Sequence, residues 1–211
     1  MIDYHYRLSK YGQYKADIFE KLDFEFIRGK KILDVGCGDG SDAEIFINEM
    51  GLETVGIDVY ENENIHSVGG MKFEKASILD IPFAEASFDY VFLHDVIHHV
   101  DEKQQKRENH IAALKELKRV CKKGGQIIIV EGNRYNPIFY PRLVKISGHN
   151  HFRQNYFVGI VREVFDDVVF KHFEAHLYPK SLLPIFKVYE KLMEMFSPKE
   201  FLAYNVAIIK K

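Results

Sequence analysis

Residues 30–40, KKILDVGCGDG, constrain this chain more than any other segment. A short apolar strand is cut off by Gly36, Gly38 and Gly40. Residues without side chains at such a point allow a tight turn into a helix and a close approach of the backbone to a flat or charged ligand. A helix over 41–50 and a second strand, TVGIDV, follow. Strand, glycine turn, helix and strand in that order begin an α/β unit, whose parallel strands are joined by crossover helices.

The alternation continues on both sides of the turn. Ala16, Phe19, Leu22 and Phe26 fall on one face of a helix predicted over 12–26. Residues 61–70, ENENIHSVGG, have little apolar periodicity, so the crossover there is expected to be short. Further strands are predicted at 72–76, in YVFLH and in QIIIVEG, apolar runs that suit a parallel sheet covered on both faces. Between the last two, IAALKELKRVC reads as a helix beginning soon after His99 and capped by Asp101. A helix is predicted at 158–165, and DVVFKHFEAHLY and FLAYNVAIIK read as strands around a helical SLLPIFKVYEKLMEMF. In that helix Leu182, Ile185, Val188, Tyr189 and Leu192 recur near helical spacing, a stripe expected to pack on the core. Contact with a lipid or with a second subunit, and hence a homodimer, is the other reading of the same stripe.

Composition narrows the partners. Lys plus Arg number 29 against 31 Asp plus Glu, so there is no broad cationic field to hold a nucleic acid backbone. Cys37 and Cys121 lack the paired spacing of a zinc or redox motif. The first residues, MIDYHYRLSKYGQY, contain no apolar block like that of a secretory signal, and no run of about 18 apolar residues follows. A soluble, cytoplasmic protein with no integral membrane segment is the expectation. The length of 211 residues suits one domain over 1–211.

Two carboxylates flank the glycines. Asp58 closes the second strand about 20 residues after the turn, where an acid can accept both hydroxyls of a ribose. Asp34 precedes the turn, a poor place for a pyrophosphate but one compatible with a ligand that carries an amino group or positive charge. Ser41 stands where a nicotinamide dinucleotide site needs its third glycine, which counts against an oxidoreductase.

Taken in order, these segments resemble the class I S-adenosylmethionine-dependent methyltransferases, particularly the small-molecule group called type 11. ILDVGCGDG looks like their first motif, and Gly56, Ile57 and Asp58 look like their ribose-binding strand end. ASILDIPFAEASFDYVFLHDVIHHV resembles the stretch with the adenine contact and fourth strand, and RVCKKGGQIIIVEG the turn and strand after it. The resemblance covers residues 30–132. It implies an α/β, Rossmann-like methyltransferase domain with helices on both faces of a seven-stranded, mostly parallel sheet. The last strand runs antiparallel, inserted between the fifth and sixth.

The resemblance also implies S-adenosyl-L-methionine as cofactor. Asp34, Gly36, Gly38 and Gly40 match positions near its methionine part, Asp58 matches the ribose position, and His94 ends the fourth strand on the methionine side. Ser77, with Ile78 beside it, stands where the family usually has an acidic residue at the adenine, and Asp80 is a substitute from the next turn. Tyr11 or Tyr14 is expected to reach the cofactor from the first segment. Of the two histidines that follow the fourth strand, His98 is the candidate general base and His99 the one expected to pack structurally.

The family usually encloses its acceptor with the first segment, here an amino-terminal cap over 1–29, and with the excursion after the fifth strand, here an insertion over 133–157. The first contains Tyr4, Tyr6, Tyr11 and Tyr14, and the second Arg134, Tyr135, Phe139, His149, His151 and Arg153, with Tyr156 at its end. Aromatics with separated cations suit an acceptor with an apolar body and a polar or acidic handle. The implied activity is methyl transfer to a small molecule, at oxygen or nitrogen before carbon. A non-catalytic S-adenosylmethionine-binding or scaffold protein is the alternative.

Overall fold

The apolar runs form seven strands, β1 (Lys31–Val35), β2 (Glu53–Asp58), β3 (Lys72–Lys75), β4 (Phe88–His94), β5 (Cys121–Gly132), β6 (Val168–Phe173) and β7 (Tyr204–Lys210). The computed structural model describes residues 8–211, so Tyr4 and Tyr6 lie outside the described residues. The strands pair in the order β3-β2-β1-β4-β5-β7-β6. Pairing is parallel from β3 to β5, and β7 enters antiparallel between β5 and β6, with Tyr204 opposite Gly132 on one side and Phe173 on the other. The expected sheet and its inserted last strand are both present.

Strand side chains alternate between the two faces, and each face has its own core. On one, Leu33, Val91, Leu93, Ile127 and Ile129 pack with Leu114, Leu117, Ile160 and Val161. The last four come from α3 (Arg107–Val120) and α4 (Gln154–Val164). On the other face Ile32, Phe92, Ile128 and Val130 meet Ala16, Phe19 and Leu22 of α1 (Gln13–Leu22) and Phe46 of α2 (Ser41–Asn48). The phenylalanine excess serves this second core, where Phe19, Phe46 and Phe92 interlock with ring centroids 5.0 to 5.9 Å apart.

Three elements depart from the sequence reading. Helix α1 stops at Leu22 because Asp23 adopts a left-handed conformation (φ 46°), after which Phe24 and Phe26 turn back onto the Tyr90 ring. Helix α3 starts at Arg107, later than expected. A single 3-10 turn, Ile97–His99, and a loop intervene, and Asp101 holds that loop by accepting from the Lys106 N–H (3.3 Å) and Asn109 Nδ2 (3.1 Å).

The third departure is α5 (Leu183–Phe196), whose apolar stripe does not pack on the core. Ile185, Val188 and Leu192 of the stripe, with Met195 and Phe196 beyond it, point outward, at least half exposed, while Tyr189 is half-buried against His176 and Glu190 is buried. The helix docks through its polar side: Lys187 bonds Asp17 and Glu190, and Lys21 bonds Glu194 (2.7 Å). The surface beneath it is the charged side of α1, so ion pairs rather than apolar contacts decide which face turns inward.

Candidate functional site

At the end of β1 the chain turns through Gly36, Gly38 and Gly40, all with positive φ. The Gly36 and Cys37 N–H groups both donate to the Ile57 carbonyl, at 2.7 and 3.1 Å, tying the turn to β2. A Cβ on Gly36 would stand 2.5 Å from Val96 Cγ2, whereas one on Gly38 would meet nothing within 4 Å. Packing thus requires the first glycine, and the second faces open space at the start of α2.

Asp58 ends β2 beside that opening. Its Oδ2 accepts the Gly38 N–H (3.0 Å) and its Oδ1 the Tyr60 N–H (2.9 Å). The Ala76 N–H donates to the Asp58 carbonyl, which sets Ser77 and the buried Ile78 just past the end of β3. Ser77 Oγ accepts the Leu79 N–H (3.1 Å), and the Asp80 N–H donates to the Ser77 carbonyl. Asp34, Gly36, Gly38, Asp58, Ser77 and Ile78 therefore gather at the carboxyl ends of β1, β2 and β3.

Asp34 is almost fully buried, and its Oδ2 has no hydrogen-bond partner among the described residues. Burial, then the neighbouring Asp42 charge, pushes its carboxyl well above the usual carboxylate range, with Lys15 opposing. Burial acts on Asp42 in the same direction, but Lys15 (2.7 Å) and His94 Nδ1 (3.1 Å) overcome it and hold Asp42 below that range.

His94 begins a hydrogen-bonded chain across the sheet. Its Nε2 meets the Tyr14 hydroxyl (2.8 Å), which bonds the Tyr204 hydroxyl. Tyr204 donates to Asp95 Oδ2 (3.2 Å), and Asp95 Oδ1 accepts the Gly132 N–H (2.7 Å). Burial, reinforced by the Asp95 charge, raises both tyrosine hydroxyls well above their ordinary value, so they stay protonated. Tyr11 is not brought here. Its hydroxyl donates to Glu49 (3.3 Å), past the far end of α2, about 12 Å of helix from Gly40. Lys15, Asp42, Asp95 and Tyr204 escaped the sequence reading. The one local hint was an acid two residues beyond Gly40, ordinarily read only as a helix-dipole partner.

Past Asp95 the loop is anchored by Glu131, wholly buried on β5. Glu131 Oε1 accepts the N–H groups of Val96 (2.9 Å) and Ile97 (2.6 Å), and Oε2 lies 2.8 Å from His98 Nδ1. Burial raises the Glu131 carboxyl to about 7. His98 is buried and packs against the rings of His99 and His151, at centroid distances of 4.0 and 4.2 Å. Burial lowers both His98 and His151 to about 4. His98 is covered and tied to Glu131, while His99 is exposed beside Glu102 (3.3 Å).

A cavity of about 590 Å³ opens beside His151, lined also by Gln105, Arg134, Phe152, Arg153 and Tyr156. Arg134 bonds Asn150, and Arg153 lies over the Tyr135 ring at 5.4 Å. A larger cavity of about 860 Å³ lies between α1, β6 and α5, where Asp17, Lys21, Lys187 and Glu190 are engaged in the docking network and no glycine-turn residue contributes.

The donor set suits one kind of ligand. The unpartnered Asp34 carboxylate fits an ammonium group, Asp58 has acceptor capacity for vicinal hydroxyls, Ile78 offers an apolar wall for a flat base, and Gly38 leaves room for close approach. A sheet with this insertion of β7 and a turn flanked by Asp34 and Asp58 defines an α/β domain built for an adenosyl ligand with an amino-acid end.

Comparison with known proteins agrees. The methyltransferase-domain profile Methyltransf_11 matches residues 33–129. O-methyltransferase resE of Aspergillus sclerotiorum is 30% identical over 112 residues, 49% of this chain and 40% of that protein. Demethylmenaquinone methyltransferase of Staphylococcus aureus (strain MRSA252) is 28% identical over 189 residues, 85% of this chain and 70% of its own length. The matches span 40% and 48% of the first two curated relatives. A SAM-dependent methyltransferase from Archaeoglobus fulgidus has the same fold, with a TM-score of 0.69 at 20% identity over 99% of both chains. Sequence and fold together resemble the class I S-adenosylmethionine-dependent methyltransferases of the type 11 group, with the profile match confined to residues 33–129, just under half of the chain.

Proposed function

We propose that this protein transfers a methyl group from S-adenosylmethionine to an oxygen or nitrogen atom of a small-molecule acceptor. The observation that carries the reading is the buried, unpartnered Asp34 carboxylate at the mouth of a glycine turn whose other side is Asp58. When bound, the sulfonium cofactor supplies an activated methyl group, and no covalent bond to the enzyme is needed. The chain's own residues orient and enclose. Asp34 takes the ammonium group, Asp58 the ribose hydroxyls, and Ser77 with Ile78 the adenine. His94, clamped between Asp42 and Tyr14, forms a fixed wall on the methionine side. Protonated Tyr14 and Tyr204 add hydroxyls to that wall without adding negative charge.

The insertion 133–157 supplies the acceptor side. Arg134, Arg153 and Tyr156 around the cavity favour an acceptor with a polar or anionic handle, and desolvation there aids an in-line transfer. His98 is given no base role while Glu131 holds it covered. The relatives' names, an O-methyltransferase and a demethylmenaquinone methyltransferase, support a small acceptor, as does the near-neutral charge. No helix among the described residues is long and apolar enough to cross a membrane. A cytoplasmic setting is supported by two buried free thiols, Cys37 and Cys121, which burial renders reluctant to ionise. Homodimerisation is assigned to the outward stripe of α5. Its neighbouring charges are mixed, Lys180, Lys191 and Lys199 with Glu194 and Glu200, which suits a second copy better than an anionic bilayer.

Calorimetric titration with S-adenosylmethionine, S-adenosylhomocysteine and NAD is the direct test. Saturable binding of the first two alone is expected, followed by transfer of labelled methyl to at least one acceptor in a metabolite screen. No adenosyl-ligand binding by folded protein overturns the reading. Binding with no transfer across the screen favours the scaffold alternative.

A further inference from the structure

We infer that Asp95, His98 and His151 form a site for a divalent first-row transition metal, such as Zn²⁺ or Co²⁺, on the acceptor side of the methyl-transfer pocket. The three residues come from separate parts of the chain: the turn after β4, the 3-10 turn beyond it, and the 133–157 excursion. One ligand atom from each lies within 4.8 Å of the others. Donors sharing one ion stand roughly 3 to 4 Å apart, so closure onto a metal requires contraction of about an ångström. Two imidazoles and one carboxylate form the mixed nitrogen and oxygen set such ions take.

Two further observations point to a ligand rather than to packing alone. His151 is 6% exposed, and its Nδ1 is buried with no hydrogen-bond partner among the described residues, a costly arrangement unless something completes it. Glu131 supplies the outer support a metal-binding histidine needs. Its Oε1 accepts two backbone N–H groups and its Oε2 lies 2.8 Å from His98 Nδ1, which fixes the ring. With Nδ1 engaged by Glu131, Nε2 is the nitrogen of His98 left to bind an ion. Of the three, His151 also lines the cavity of about 590 Å³.

His98 also belongs to a second grouping, with His99 and His149. That set is more open and lacks the orphaned nitrogen, so the buried set is assigned the ion. Placement toward the acceptor rests on the methyltransferase reading, whereas metal binding itself does not.

The experiment is equilibrium dialysis of untagged, chelator-stripped full-length protein against Co²⁺, with metal analysis and the visible absorption of bound cobalt as readouts. About one Co²⁺ per chain is expected, with His98→Gln, His151→Gln and Asp95→Asn each weakening binding by more than about tenfold and Glu131→Gln weakening it by about 10- to 100-fold. His149→Gln, and His66→Gln at an exposed position beside Glu61, are expected to leave it unchanged. Each variant is titrated in parallel with S-adenosylhomocysteine, which separates loss of the metal site from loss of the fold. Absence of Co²⁺ binding by wild-type protein that binds S-adenosylhomocysteine overturns the metal site alone. Undiminished binding by the Asp95, His98 and His151 variants, or loss with His149→Gln but not with His151→Gln, also overturns it. If S-adenosylhomocysteine fails to bind while Co²⁺ does, the proposed methyl transfer falls and the metal site stands.

Discussion

At the scale of single residues, Asp34, proposed above to take the cofactor's ammonium group, carries a stability cost. Its folded-state pKa is raised above the unfolded value, so the folded carboxylate is penalised once pH climbs through the ordinary carboxylate range. Asp34→Asn keeps the shape and removes the charge. It is expected to raise the melting temperature relative to wild type at pH 7, with the difference shrinking toward zero as pH falls below about 4. The same variant is expected to weaken S-adenosylhomocysteine binding by about 1 to 3 kcal/mol in calorimetry, because a charge-assisted contact is lost. A melting temperature that falls while affinity is unchanged would contradict both halves. The tyrosine pair gives a sharper contrast. Tyr14→Phe breaks the link between His94 and Tyr204 and should lower kcat/KM, whereas Tyr11→Phe, at the far end of α2, should leave it within about twofold. From sequence alone the two were interchangeable. Which one faces the turn depends on where α1 begins and on a partner 80 residues away, neither of which leaves a local mark.

Among the elements, α5 separates pattern from environment. Its stripe was visible in the sequence, but periodicity reports that one face is apolar, not which face meets the protein. Asp17 and Lys21 on α1 decide that, and their role emerges only when two helices far apart in the chain meet. Glu190→Leu is expected to cost a few kcal/mol by urea denaturation, since it removes the buried counter-charge that Lys187 and Lys21 share. Ile185→Glu should change stability by no more than about 0.5 kcal/mol, because that side chain lies on the surface. In sedimentation, Leu192→Glu should abolish any concentration-dependent dimer formed through the stripe. The glycine turn and the strands of β1 to β5 were readable because their signals are local. The start of α3 was not, because Asp101 has the chemistry of a cap but holds a loop ahead of the helix.

For the whole molecule, cofactor chemistry and sheet topology are separable. Strands β1 to β4 and their turns hold the residues proposed to face the cofactor, β7 adds Tyr204 to the wall of His94 and Tyr14, and β5 and the excursion after it bring Glu131 and His151 to the proposed acceptor side. Deleting residues 204–211 is expected to abolish cooperative thermal unfolding rather than trim an edge, because β7 pairs with both β5 and β6. Circular dichroism through the melt checks this, and a retained sharp transition would show that the sheet closes without β7. The insertion of β7 also sets an order of events during translation. The ribosome delivers β1 to β5 in a sequence that lets each strand find a partner already made, but β6 emerges with its only neighbour still to be synthesised. Until β7 follows, the nascent chain presents an unpaired strand and an open flank on β5, an interval in which a chaperone or a mispaired copy could bind.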